Sequence, residues 1–310
     1  MANTKEIKSR IASVKDTQKI TNAMYLIAST KMRKAKRELD QTRPYFDALQ
    51  VEIKRIFRTA EKVDNRYFYP ANGERERPGD RAYLVITADK GLAGAYNQNV
   101  IKEALRQMSE RGGGSKLIVV GDYGRQYFAA HKIPIEKTFL YTAQNPTLQR
   151  ARDICSLLLD LYKRGEVSKI YVIYTDFNNG MDSSARTIRL LPYHRAQFAS
   201  PAAESEKAIK NPFDFFPTVE KVLDSIIPSY LTGYIYSALV DSFCCEQNAR
   251  MTAMDAANRN AQDLLDELAV EFNHVRQGAI TQEITEIAAG AKGQRRYKEQ
   301  LEGGALCDAV

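Results

Sequence analysis

The sequence predicts an α/β protein in which two long terminal helices pair as an antiparallel coiled coil across an inserted, mostly parallel sheet. Apolar seams at helical spacing, one at each end of the chain, predict the coiled coil. A β-α-β alternation in the middle predicts the sheet. Clusters of Pro, Gly and charge at 64–80 and 200–217 mark linkers between the three parts.

The first helix is expected over residues 1–63. Its seam steps by three and four from Ile7 through Val14, Tyr25, Ala28, Ala35, Phe46, Ile53 and Ile56 to Val63, with only Gln18, Thr21 and Thr42 polar. Pro44 removes one backbone hydrogen bond and predicts a bend or a boundary there. The α/β domain is expected over 81–199. Its strands read as RAYLVITA (81–88), KLIVVG (116–121), KIYVIYTDF (169–177) and ARTIRLLPY (185–193). Helices are expected at 97–110, 122–131 and 147–165. The second long helix is expected over 218–291, with a possible kink at Pro228 and a seam from Met251 and Met254 through Leu265 and Leu268 to Val275 and Ala279. Residues 292–310 read as a tail that frays, because they offer few bulky apolar anchors.

Composition narrows the function classes. With 44% hydrophobic and 27% charged residues over 310 positions, the chain reads as globular with room for about two domains. No apolar run approaches the roughly 20 residues of a membrane span. The start, MANTKEIKSRIASVKD, lacks the apolar core of a secretory signal, and Glu6 and Asp16 weigh against an organellar presequence. Cys155, Cys244, Cys245 and Cys307 form no C-x-x-C pair and read as reduced structural thiols. His131, His194 and His274 match no metal spacing. The net charge of +7 is concentrated: residues 1–37 hold ten Lys and Arg against two acids.

That excess culminates in MYLIASTKMRKAKRELD (24–40), where an apolar turn is followed by five basic residues in seven. A nucleic-acid arm would favour a broad basic face with aromatics for stacking. A membrane-surface helix would segregate its apolar and basic faces. Met24, Tyr25, Leu26 and Ile27 instead point around the whole circumference, as in a helix surrounded by protein. That favours a shaft passing through a sleeve formed by another protein; an ordinary core turn within one domain is the alternative reading of this stretch. At the far end, GAITQEITEIAAGA (278–291) finishes in small uncharged residues that suit a smooth collar.

Catalytic motifs do not emerge. TADKGLAGAYN (87–97) follows the first strand but contains neither G-x-G-x-x-G nor G-x-x-x-x-G-K-[ST]. Asp89 and Lys90 read more simply as a strand-to-helix turn than as a catalytic pair. The insert is therefore Rossmann-like without a phosphate loop, and no cofactor and no metal are expected. The rival function is a nucleotide-dependent enzyme with helical dimerisation arms.

TKEIKSRIASVKDTQKITNAM (4–24), TKMRKAK (30–36), TADKGLAGAYN (87–97), CEQNARMTAMDAANRNAQDLL (245–265) and RQGAITQEITEIAAGA (276–291) together resemble the gamma subunits of F-type ATP synthases. The resemblance spans about residues 1–291. It implies a non-catalytic rotor shaft, with partners in the alpha and beta subunits, the epsilon subunit and the c-ring, and no nucleic acid and no membrane insertion. It implies a peripheral location on the cytoplasmic side of the inner membrane. Carried over by position, it places Met24, Arg250, Gln277, Thr281 and Glu283 against the alpha-beta hexamer. Lys31, Arg33, Lys34, Lys36 and Arg37 lie close along the same helix and are expected to meet its acidic surface. Gly91, Leu92, Ala93, Gly94, Ala95, Tyr96 and Asn97 are expected near the epsilon subunit. Ala93 stands where bacterial relatives often carry Cys, and the chain continues past the family's usual end.

Overall fold

The computed structural model describes residues 4–59, 65–69, 78–111, 114–140, 143–177, 184–194 and 215–304. These divide into two compact units, one of residues 25–253 and one of residues 1–24 with 254–310. Helix α1 (Thr4–Thr59) and helix α5 (Val219–Gly304) contribute to both.

The larger unit is built on β1 (Asp80–Ile86), β2 (Ser115–Val120), β3 (Lys137–Phe139), β4 (Val167–Thr175) and β5 (Ala185–Leu191). Their order is β3-β2-β1-β4-β5, parallel except for β5, which runs antiparallel to β4. Strand side chains alternate between two covered faces. Tyr83, Val85, Leu117, Val119, Tyr171 and Ile173 pack against α2 (Tyr96–Arg111) and α3 (Asp122–Ala130). Ala82, Leu84, Ile86, Ile118, Val120 and Val172 face α1, α5 and α4 (Leu148–Lys163). Coverage on both faces is why the central strands read as unbroken apolar runs rather than as alternating ones. The N-terminus of α4 is capped by Thr147, whose hydroxyl accepts from Arg150 N at 3.3 Å.

Within this unit α1 and α5 lie close. A Cβ on Gly233 would collide with the Phe46 ring, so only glycine permits this approach. The expected seam of α1 is visible in burial: Ala28, Ala35, Ile53 and Ile56 are buried, and Met32, Leu39, Thr42, Phe46 and Leu49 are half-buried. In the smaller unit the same register continues through Ile7, Ile11, Val14, Gln18 and Thr21. It meets the α5 seam at Leu265, Leu268 and Phe272. Gln18 Nε2 donates to Gln262 Oε1 at 3.4 Å, Thr21 bonds Asn258, and Lys8 Nζ sits 5.4 Å from the Phe272 ring centre. The polar seam positions are thus paired with polar positions opposite.

Pro44 and Pro228 lie inside their helices, so neither is a boundary. Pro44 lies on the exposed side of α1, where the carbonyl of Asp40 that it leaves unbonded meets solvent. Three expectations need correction. Strand β3 was not foreseen; three residues added to the sheet edge beside Ile118–Val120 are too short to show a period. The segment 64–80 is more than a linker. Tyr67, Phe68 and Tyr69 are buried, Tyr67 stacks on Tyr162, and Phe68 bridges to Tyr193; residues 70–77 lie outside the described residues. Finally, α5 does not stop at residue 291 but continues to Gly304, because AKGQRRYKEQ is free of proline and rich in helix formers. Most of the linker expected at 200–217, and Cys307, lie outside the described residues. Cys155, Cys244 and Cys245 are free and buried.

Candidate functional site

In an open sheet of this order, ligands bind beyond the carboxyl ends of β1 and β4, where the connections diverge. Here that crevice is filled by the chain's own α5. Thr175 N, at the end of β4, donates to Ser242 Oγ at 3.3 Å, and Cys245 Sγ lies 3.7 Å from Thr175 O. Cys245 packs with Ala88, Ala93 and Tyr96, which follow β1, and with Phe177, which follows β4. The place where the rival reading needs a nucleotide is occupied by helix.

The turn after β1 is built by capping. The Asp89 carboxylate accepts from Asp122 N, at the start of α3, at 3.0 Å and from Gln144 N at 3.1 Å. Asn97 Oδ1 accepts from Ala88 N at 2.9 Å. This supports the structural reading of Asp89 over a catalytic one. Between these anchors the loop Gly91–Asn97 alternates inward and outward residues. Ala93, Tyr96 and Asn97 are buried, whereas Gly91, Gly94, Ala95 and Leu92 are exposed. Leu92 adopts φ 62 and Gly94 φ 54. A leucine held in the left-handed region costs about 1–3 kcal/mol and persists only where its surroundings impose it.

Arg250 imposes part of that geometry. Its Nη2 donates to Glu246 Oε1 at 2.6 Å and to the Gly91 carbonyl at 3.0 Å. Both side chains are almost fully buried, and burial raises the Glu246 pKa against the opposing charge of Arg250. The guanidinium expected against the hexamer is therefore engaged within the chain. Arg250 belongs to the larger unit, whereas Gln277, Thr281 and Glu283 belong to the smaller one.

The basic run divides by direction. At 3.6 residues per turn, Arg33 and Arg37 point opposite the buried Ala35. Lys34 is exposed and reaches Glu38 at 3.8 Å. Lys36 lies over the Phe177 ring at 5.7 Å, and Lys31 acts electrostatically on Glu246. Both therefore serve the chain's own fold as well as its surface.

In the smaller unit Met24 is half-buried, and no described residue covers α5 over 276–296. Every residue from 276 to 296 is exposed, including Ile280 at 48%, Ile284 at 61% and Ile287 at 73%. These isoleucines and Ala291 recur at i, i+4, i+7 and i+11, which makes one stripe. The stripe lies about a third of a turn away from the seam of Leu268, Phe272 and Val275, so it is a separate face rather than a continuation of the coiled coil. Gln277 and Glu283 border the stripe, and the Thr281 hydroxyl bonds back to Gln277 O at 2.9 Å.

Sequence reading missed a polar cavity of about 310 Å³ in the larger unit, lined by Arg43, Asp47, Asp176, Tyr230, Tyr234 and Asp241. Asp241 is pushed up to about 7, first by burial and then by the charge of Asp176, with Arg43 opposing. It also missed Glu246. The i, i+4 spacing of Glu246 and Arg250 on a helix was the available signal.

Comparisons with known proteins agree with this architecture. The ATP synthase family model matches residues 3–293. The ATP synthase gamma chain of Caldanaerobacter subterraneus subsp. tengcongensis is 41% identical over 293 residues, covering 93% of this chain and 98% of that one. The gamma chain of Ruminiclostridium cellulolyticum is 38% identical over 290 residues, again covering 93% and 98%. Among solved structures, a chain of the Euglena gracilis mitochondrial ATP synthase (OSCP, F1 and c-ring, rotational state 3) aligns with TM-score 0.64 at 14% identity, covering 95% of each chain. One from the central stalk and c-ring of the Tetrahymena thermophila mitochondrial enzyme aligns with TM-score 0.56 at 21% identity, covering 77% of this chain and 99% of that one. These structures share the fold, and the sequence relatives fix the kinship. The chain belongs to the ATP synthase gamma chain family, the non-catalytic central-shaft subunits of that synthase.

Proposed function

We propose that this chain is the central rotor shaft of a proton-translocating F-type ATP synthase, coupling rotation of the c-ring to conformational change in the catalytic beta subunits. The observation that carries the reading is the end of α5. A helix that presents an isoleucine stripe and small residues on an otherwise uncovered surface needs a surrounding partner, because exposed apolar stripes are otherwise a liability. The alpha-beta hexamer supplies one. Contacts with that sleeve are assigned to Met24, Gln277, Thr281 and Glu283. Arg33, Lys34 and Arg37 turn their charge toward its acidic surface, with Lys31 and Lys36 at the margins.

An off-centre pair of helices has a different profile on each side. Turning it presents each beta subunit in succession with apolar, polar or cationic surface, which biases that subunit among its conformations. The Gly91–Asn97 loop is the contact assigned to the epsilon subunit, and the α/β domain carries the load from the c-ring. Among the described residues no helix is long and apolar enough to cross a membrane. A peripheral place on the cytoplasmic face of the inner membrane follows from attachment through those partners.

Hydrogen exchange tests the reading. The full chain is compared alone and assembled with alpha and beta subunits from a related bacterium. Amides at 276–296 should exchange rapidly in the free chain and become protected on assembly. Assembly that leaves them unprotected would contradict the sleeve.

A further inference from the structure

We propose that Glu246 and Arg250 form a latch that fixes the Gly91–Asn97 loop to α5, so that a partner seated on the loop turns with the helix as one body. The proposal rests on the rotor reading and adds to it the means by which load enters α5. One guanidinium nitrogen bridges two structures: Arg250 Nη2 is 2.6 Å from Glu246 Oε1 and 3.0 Å from the Gly91 carbonyl. Next to this ionic pair on α5, Cys245 and Ala249 pack against Ala93 and Tyr96. The loop is therefore gripped at its first residue by charge and at its buried residues by packing. Leu92, between those grips, is held outward at φ 62 with 64% of its surface exposed.

Stability alone does not account for the pair. Buried ion pairs are commonly no more stabilising than apolar side chains of similar volume. What the pair adds is direction. A planar guanidinium holds a carboxylate and a carbonyl in fixed relation, which the flexible ammonium of lysine does not reproduce. A latch of this kind resists shear between loop and helix, the load that a turning partner would apply. Arg250 is a positioning residue in this scheme, acting on a partner through the loop.

The test uses the complete synthase in sealed vesicles, carrying Arg250→Gln or the milder Glu246→Gln, which keeps a carbonyl acceptor. Two readouts are taken: amide exchange at Leu92–Ala95, and the ratio of ATP-driven proton pumping to ATP hydrolysis. Arg250→Gln should speed loop exchange by about tenfold or more and lower the pumping ratio by about threefold. Glu246→Gln should move both in the same direction but less, and Arg250→Lys should recover only part of the ratio. Faster exchange with an unchanged ratio would show that the loop is pinned but carries no load, and would overturn the proposal. Unchanged exchange would overturn it too, as would failure of both neutral variants to assemble, since the pair would then be a folding element. A wild-type complex that hydrolyses ATP without pumping would instead strike the rotor reading itself.

Discussion

Residues 226–250 and 276–296 lie on the same helix and have opposite surroundings. In the first stretch no residue is exposed; in the second every residue is. Chemistry accounts for part of the contrast, since the first stretch is apolar on several sides whereas the second gathers its bulky apolar residues into one stripe. The first is enclosed by α1, α4 and the sheet, with Leu231, Ile235, Leu239 and Phe243 in the main core. The second offers Ile280, Ile284 and Ile287 to whatever comes next. An apolar helix surface is completed by its surroundings, and here one stretch finds them in its own chain while the stripe of the other faces outward.

The sharpest way to break the comparison is to cut the same kind of side chain from both stretches. Leu239→Ala should destabilise the full chain by about 2–5 kcal/mol, through lost burial and the cavity left behind. Urea unfolding followed by circular dichroism measures it, and a loss below about 1 kcal/mol would mean that the stretch is loosely packed.

Asp241→Asn should give the next largest effect, and one that depends on pH. Burial and Asp176 raise the Asp241 carboxyl from its ordinary range to about 7. A carboxyl raised in the folded state holds its proton more tightly folded than unfolded. Its contribution is therefore most favourable below about pH 4 and is lost as pH rises through 7. The variant should be more stable than the parent by roughly 2–4 kcal/mol at pH 8 and nearly equal to it at pH 4. Thermal unfolding across that range checks the sign; a difference that grows toward acid would contradict it.

Ile284→Ala should change the stability of the free chain by no more than about 0.5 kcal/mol, because the side chain is already largely exposed. In the assembled complex the same change should weaken the seating of α5, visible as faster exchange at 276–296. Equal behaviour free and assembled would erase the distinction between the stretches. Lys34→Ala should have the smallest effect. Its ion pair with Glu38 is long and exposed, so stability should shift by less than about 1 kcal/mol, with an even smaller shift in high salt.

Much of this architecture was legible in the sequence because it rests on periodicity. The α1 seam from Ile7 to Ile56 coincides with buried and half-buried positions, and the central strands announced themselves as apolar runs. Elements without a period were hidden. β3 has three residues, and Tyr67–Tyr69 sit among polar neighbours yet enter the core through stacking and bridging. The site was legible in part. The sequence marked 278–291 as a collar surface by its small uncharged residues, and the isoleucine stripe within it emerged only from exposure. The inward commitment of Arg250 depends on which loop α5 meets at Gly91, a contact 159 positions apart in the chain. The clustering of Asp241 with Asp176 is hidden for the same reason.

The most direct test of the central claim is single-molecule observation of a probe fixed to this chain in an immobilised complex with alpha and beta subunits during ATP hydrolysis. A rotor shaft should carry the probe around in one direction, in steps that stop when ATP is removed. Sustained hydrolysis by the same complexes with the probe stationary or jittering without direction would contradict the account.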